Sequence, residues 1–294
     1  MRKAFVAIMT AALVVAAAAG PAFAQDEHIV FKFMGGLAQI QGGDYNKGVD
    51  GTNRLLRDTV ESATGSFKDL QTGKSLHLEI VNYWGRHFGL GIGGGYYQID
   101  NDSSITESPI SIDGGTMTLR YLPKVSAIPI FLNAHYRINV APRIGLDVFA
   151  GPVFQIIQCG FRRTQVSSSL LNPLSVLETF KASGVALGGQ VGLDVNVRVL
   201  PWLSLVAEGM YRAARISNFT GNWLLQTTTS EGTTTQTSSS YSMWSYELTQ
   251  GGSVYPQFGF FDANGPSGEG ISAARKSEIK LSGFMALAGI KFGF

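Results

Sequence analysis

The sequence predicts an all-β fold: a transmembrane up-and-down antiparallel β-barrel of eight strands, or of ten if two further segments join the wall. Three observations predict it. Eight strand-length segments alternate apolar with small or polar residues, the period of a strand whose two faces meet different surroundings. The connections between those segments are short and long by turns. The chain closes on IKLSGFMALAGIKFGF, Ile279 to Phe294, an alternating run that stops on an aromatic, as a strand with lipid on one side and a lumen on the other would.

Composition agrees. The chain is 45% hydrophobic with a slightly positive mean hydropathy, yet beyond its start it has no long uninterrupted apolar run. A barrel accounts for both, because lipid-facing and lumen-facing residues alternate and dilute the signal. At the start, Arg2 and Lys3 precede an apolar run from Ala4 to Ala19, followed by Gly20, Pro21 and Ala22-Phe23-Ala24. That order predicts a cleaved signal peptide over 1–24 and a barrel domain over 25–294; the run falls short of the roughly 20 residues of a spanning helix. Lys and Arg number 23 against 21 Asp and Glu, and removing Arg2 and Lys3 leaves a formally neutral chain. No nucleic acid is expected as partner, since binding one requires a basic surface. Cys159 is the single cysteine, so no internal disulfide is expected.

The strands are justified in order. Ile29 to Gln41 is the first. Ser75 to Arg86 and Phe88 to Ile99 follow, joined around His87; Ser126 to Ile138 and Ile144 to Gln158 are joined through Asn139 to Arg143 with Pro142; Gly184 to Leu200 and Leu203 to Ser217 are joined by Pro201 and Trp202; Ile279 to Phe294 is the last. The sixth is clearest: Val185, Leu187, Gly189, Val191, Leu193, Val195, Val197 and Val199 share one parity, and Gln190, Asp194, Asn196 and Arg198 the other. A soluble β-sandwich would also alternate, but its connections would be of similar length at both ends.

The four long connections differ in character. Gly42 to Lys74 carries Leu55, Leu56, Thr59 and Val60 at helical spacing after the caps Thr52 and Asn53, which predicts a short surface helix. Within it, Asp44, Asn46 and Asp50 have the alternation of a calcium loop, but the glycine is misplaced and the bidentate glutamate is missing, so a solvated turn is expected. Asp100 to Val125 and Cys159 to Ser183 read as irregular loops. Asn218 to Ser277 holds TTTSEGTTTQTSSS around Glu231-Gly232; Trp223 to Ser230 and Thr233 to Leu248 flank this turn and predict an extracellular hairpin extending the seventh strand, its Ser and Thr suiting water better than lipid. Aromatic girdles are expected from Trp84, Tyr136, Trp202 and Phe292 near the turn ends and from Tyr96, Tyr97, Phe161 and Tyr211 near the loop ends.

With its last seven residues, Ala288-Gly289-Ile290-Lys291-Phe292-Gly293-Phe294, the chain resembles the bacterial outer-membrane β-barrel superfamily, and within it the small OmpA/OmpX-like barrels. Gly289, Phe292 and Phe294 match the family's barrel-assembly signal; Ala288 stands where a polar residue is usual. The resemblance implies short periplasmic turns, long extracellular loops, residence in the outer membrane of a Gram-negative-type bacterium, and as partners outer-membrane lipids, the barrel-assembly machinery and extracellular surface partners.

The strand parity sends Lys32, His77, Glu79, His135, Arg137, Asp147, Asp194, Arg198, Glu208 and Arg212 to the lumen, where an eight-stranded barrel has room only for side chains that pair with one another. This is expected to be a polar plug; the alternative is a narrow channel or porin whose salt bridges rearrange. A lipid hydrolase built on Ser75 and His77 is a weaker alternative, since no third group can be assigned to orient them. No catalytic residue, cofactor or metal site is expected: His28, His77, His87 and His135 show no ligand spacing. The expected function is structural, with surface interaction through the loops, Trp223, Tyr241, Trp244 and Tyr246 being the contact residues of the longest one.

Overall fold

The computed structural model describes residues 28–60, 62–107, 115–168, 174–217 and 219–294; the predicted signal peptide lies outside them. In chain order the elements are β1 (Ile29–Gln39), α1 (Asp44–Thr59), β2 (Ala63–Gly65), β3 (Thr72–Trp84), β4 (Phe88–Asp100), β5 (Ser103–Glu107), β6 (Met117–Ala141), β7 (Ile144–Ser167), β8 (Leu174–Leu200), β9 (Leu203–Ser217), β10 (Thr220–Thr229), β11 (Gly232–Gln250), β12 (Ser253–Phe261), β13 (Ile271–Lys276), β14 (Glu278–Lys280) and β15 (Gly283–Gly293). No helix among the described residues is long and apolar enough to cross a membrane.

Eight of these strands close on themselves. The order β1-β3-β4-β6-β7-β8-β9-β15 returns to β1 through antiparallel pairs running from Val30 with Gly293 to Ala38 with Met285. The first and last wall strands thus satisfy each other's backbone, and His28 N–H and Ile29 N–H both donate to the Phe294 carbonyl. Closure leaves this part of the sheet without free edges. Gly289 is needed there, because a Cβ would run into the Phe33 carbonyl oxygen of the adjacent strand. At one end the connections are tight: Gly85 takes φ 69° in the β3–β4 turn, and Pro201 and Trp202 join β8 to β9.

The wall strands correspond to the expected eight, with the last beginning at Gly283 rather than Ile279. Leu281 N–H instead donates to Ala214, while Glu278–Lys280 pairs separately with β9. At the other end three expectations fail. The supposed irregular loops around 100–125 and 159–183 are largely strand, making β6, β7 and β8 25, 24 and 27 residues long against 11 to 15 for β1, β3, β4, β9 and β15. The Thr-rich hairpin β10–β11 extends β8, not β9, with Gly221 opposite Ala182 and Thr228 opposite Ser175, so it adds to the projecting sheet and leaves the ring at eight. The helix begins at Asp44, far ahead of the predicted caps. Thr52 and Asn53 lie inside it and bond outward, to Gln257 and Phe67, and Asp44, Asn46 and Asp50 belong to its first turns rather than to a solvated turn.

The ring's outer surface is apolar over most of its height. Val185, Leu187, Val191, Leu193, Val195, Val197 and Val199 are all exposed, Leu187 to 77%, while Gln190, Asp194 and Asn196 between them are buried. Leu37, Leu76, Ile80, Leu90, Ile92, Ile130, Leu132, Phe154, Leu205 and Phe284 carry the same face round the other strands. At the tight-turn end Trp84, Phe88, Tyr136 and Trp202 are exposed, and Trp202 stacks on Phe292 at 6.0 Å. At the other end Tyr97 and Phe161 are buried inside the ring and so form no girdle, whereas Tyr211 packs on the outward Phe284 at 5.0 Å.

Candidate functional site: the ring interior and its covered end

The inward parity of β1, β3, β6, β7, β8 and β9 brings most of the predicted polar residues into one column. Lys32 is at its centre, pairing with Glu79 at 3.1 Å and with Asp194. Glu79 also accepts from Asn133 at 2.8 Å and faces His135 Nε2 at 2.9 Å. Glu208 lies opposite Asp194 in the β8–β9 register. Toward the tight turns, Asp147 is held by Lys291 at 3.2 Å, Arg137 at 3.2 Å and Asn196 at 3.0 Å, and the Arg137 guanidinium lies 3.7 Å from the Tyr83 ring centroid. Toward the loops, Asn133 accepts from Gln190, and Gln190 accepts from Arg212 Nε and Nη2 at 3.1 and 2.8 Å; His77 Nε2 is 3.5 Å from Arg212. Tyr97 donates to Gln155 at 2.6 Å above this.

Three cations, Lys32, Arg137 and Lys291, are thus ion-paired in the interior with three carboxylates, Glu79, Asp147 and Asp194, while Arg212 bonds Gln190 and Glu208 faces Asp194. The balance matters because a charge removed from water without a partner is costly, and a removed pair is tolerated when its remaining valences are hydrogen-bonded. The network ties seven wall strands, β1, β3, β6, β7, β8, β9 and β15, together with side-chain bonds, in addition to the backbone ladder.

Arg198 is on the predicted face but not in this column. It is exposed at the turn-end rim, in a shallow basic vestibule with Arg137, Arg143, Lys291, Asn196 and Ser204. The reason is position: two residues beyond Asn196, β8 has already passed the interior cluster. Sequence reasoning missed Lys291, Asn133, Gln155, Tyr83 and Tyr97. Parity points to Lys291, since it alternates with the outward Ile290 and Phe292, but it is a lone charge within an apolar terminal run. Ser75 and His77 are both buried, but Ser75 Oγ has no hydrogen-bond partner among the described residues and His77 turns to Arg212, so no bond joins them. Among the described residues, no group of three His, Cys, Asp or Glu side chains comes together as a metal-ligand set.

The loop end of the ring is covered. Tyr45 of α1 enters the interior between Phe161 of β7 and Phe258 of β12, at 5.4 and 4.9 Å between ring centroids, and Phe260 stacks on Phe180 at 4.4 Å. Ile99, Val125, Ile157 and Val49 complete an apolar layer above the charges. The cover is held at its rim: Asp44 accepts from Arg275 Nη1 and Nη2 at 2.7 and 2.6 Å and from Glu278 N–H at 2.8 Å, and Asn46 and Asn53 bond the backbone at Leu70 and Phe67. Burial raises the Asp44 carboxyl pKa, but the Arg275 and Glu278 bonds outweigh it and hold the group below the usual carboxylate range.

The aromatics expected to make external contacts are engaged within the loop. Trp223 donates to Glu178 at 2.8 Å and packs edge-on against Tyr241 at 4.5 Å; Trp244 donates to the Asp262 carbonyl; Tyr246 meets Phe261 at 5.8 Å. What this region leaves bare is the hydroxyl-rich hairpin tip, exposed from Thr228 to Thr237. No protein-family model matches this chain, and no curated protein matches it.

Proposed function

We propose that this protein is an integral outer-membrane β-barrel, closed to through-flow, that works as a stable wall element presenting a built surface outside the membrane. The observation that carries the reading is the joint disposition of polarity: an apolar belt outside, balanced charges inside, and a packed aromatic cover at the loop end. In water a belt of this extent would be an aggregation surface; in a bilayer it is the solvated face. The tight turns and both strand termini would face the periplasm, and the α1–β12 cover with the projecting β6–β8 sheet the exterior. Gly289, Phe292 and Phe294 would be read by the barrel-assembly machinery, and Thr227 to Ser240 would meet extracellular partners.

Refolding into planar bilayers tests this, with folding followed independently by heat-modifiable migration. A folded but electrically silent protein is expected. Reproducible current steps that change on replacing Lys32 or Glu208 would overturn the closed reading in favour of a narrow channel.

A further inference from the structure

The outward face of β6, β7 and β8 changes character abruptly along the strands. Rows of directly paired residues read Ile130, Phe154, Leu187; then Ile128, Ile156, Val185; then Ser126, Gln158, Ser183; then Lys124, Gly160, Lys181; then Leu122, Arg162, Thr179. Two apolar rows are followed by a neutral polar row, and next come three cations. Lys124, Arg162 and Lys181 are exposed, whereas Val125, Phe161 and Phe180, which alternate with them, are buried, so all three basic side chains leave the wall outward.

Their spacing makes a cradle. Lys124 and Lys181 flank Gly160 from either side, two strand separations or about 10 Å apart, and Arg162 sits two residues along β7, about 7 Å away. Gly160 leaves the space between them open: a Cβ there would meet only the Lys124 carbonyl oxygen, at 4.0 Å. Asp100 lies opposite Lys124 in the β4–β6 register and is bonded by Gln98. Asp102 is paired with Arg120 farther up, and Glu178 with Arg163 on the inner face. Among the described residues, no carboxylate lies within ion-pair distance of Lys124, Arg162 or Lys181.

We propose that Lys124, Arg162 and Lys181 seat the phosphorylated headgroup of an outer-leaflet lipid whose acyl chains lie against Ile128, Ile130, Phe154, Ile156, Val185 and Leu187 of the same three strands. An arginine fork with two lysines suits a phosphate's several oxygens, and basic groups at the edge of an apolar belt are where anionic headgroups are met. The apolar rows directly beneath favour a lipid over a free anion. The proposal rests on the membrane-inserted reading above.

The test is native mass spectrometry of the folded full chain in detergent, with diphosphoryl lipid A, the same lipid stripped of phosphate, or inorganic phosphate. The diphosphoryl lipid should be retained in preference to the stripped one, and K124Q/R162Q/K181Q should weaken its retention roughly a hundredfold. K124R/K181R should keep it, as should K47Q on α1. Equal retention of both lipids, or an unaffected triple variant, would overturn the seat. Displacement of the lipid by equimolar inorganic phosphate would make it a free-anion site and overturn the lipid assignment. Flotation with liposomes separates the two readings: a folded chain that does not float removes the membrane reading, whereas one that floats yet retains the diphosphoryl and the stripped lipid equally removes only the seat.

Discussion

Lys32 is the residue on which the interior balance turns. It lies between Glu79 and Asp194, with Glu208 opposite the latter, and the other side chains bonded to Glu79 are Asn133 and His135. Lys32→Met should therefore cost about 3 to 5 kcal/mol, the loss seen when one member of a buried ion pair is removed. Equilibrium urea unfolding in lipid vesicles measures it. Adding Asp194→Asn to Lys32→Met should recover part of the loss, because the second change removes one of the stranded charges; strictly additive losses would show that the two side chains are not coupled. Gly289 makes a second case at this scale. Its hydrogen is all that fits against the Phe33 carbonyl oxygen, so Gly289→Val should slow or prevent closure of β15 on β1 even in unassisted detergent refolding. A variant that refolds at the unchanged rate would leave recognition during assembly as the sole reason for glycine.

At the scale of elements, the cover is the part whose stability depends on acid. The folded pKa of Asp44 is depressed by Arg275 and Glu278, so its contribution is fully present above the unfolded value of about 4 and is lost as pH falls through the lower folded value. The hydrogen-exchange protection factors of α1, taken relative to the intrinsic rate at each pH, should fall below about pH 4, and Asp44→Asn should bring the lower protection to neutral pH with the wall strands unchanged. An α1 whose protection is the same at pH 3 and pH 7 would show that the rim bond does not hold the cover. The helix is only half legible in the sequence. Leu55 and Leu56 give helical spacing, but the half that matters is headed by Gly43 and buries Tyr45 and Val49, a stretch whose Asp, Asn and Gly content looks like a turn until β12 is present to pack on it. The wall was legible because one parity holds from Val185 to Val199. The projecting parts of β6, β7 and β8 were not, because polarity inverts along each strand. On β7, Phe154 and Ile156 face out and Asp147 and Gln155 in; farther on Arg162 faces out and Phe161 in. A residue type that marks the outer side in one half marks the core side in the other, so a single alternating template fails where the strand leaves the belt.

Over the whole molecule, the inversion divides the structure into two halves of opposite polarity. Below Ser183 on β8 the outside is apolar and the inside charged; above it the outside is polar and the inside aromatic. On the membrane reading proposed above, the lower arrangement is favourable, because a bilayer solvates an apolar outer face that water would not. The consequence is a depth profile. Leu193 is near the middle of the apolar run that Val185 and Val199 bound on β8, so Leu193→Arg should destabilise the folded protein in vesicles by about 2 to 4 kcal/mol, while Val199→Arg at the turn end should cost about 0 to 1 kcal/mol. Reversible unfolding of each variant in the same lipid measures the difference. Equal costs at both sites, or a gain from Leu193→Arg, would mean that water and not hydrocarbon surrounds the belt, because only a hydrophobic slab penalises a charge according to how far it must travel to reach the headgroups.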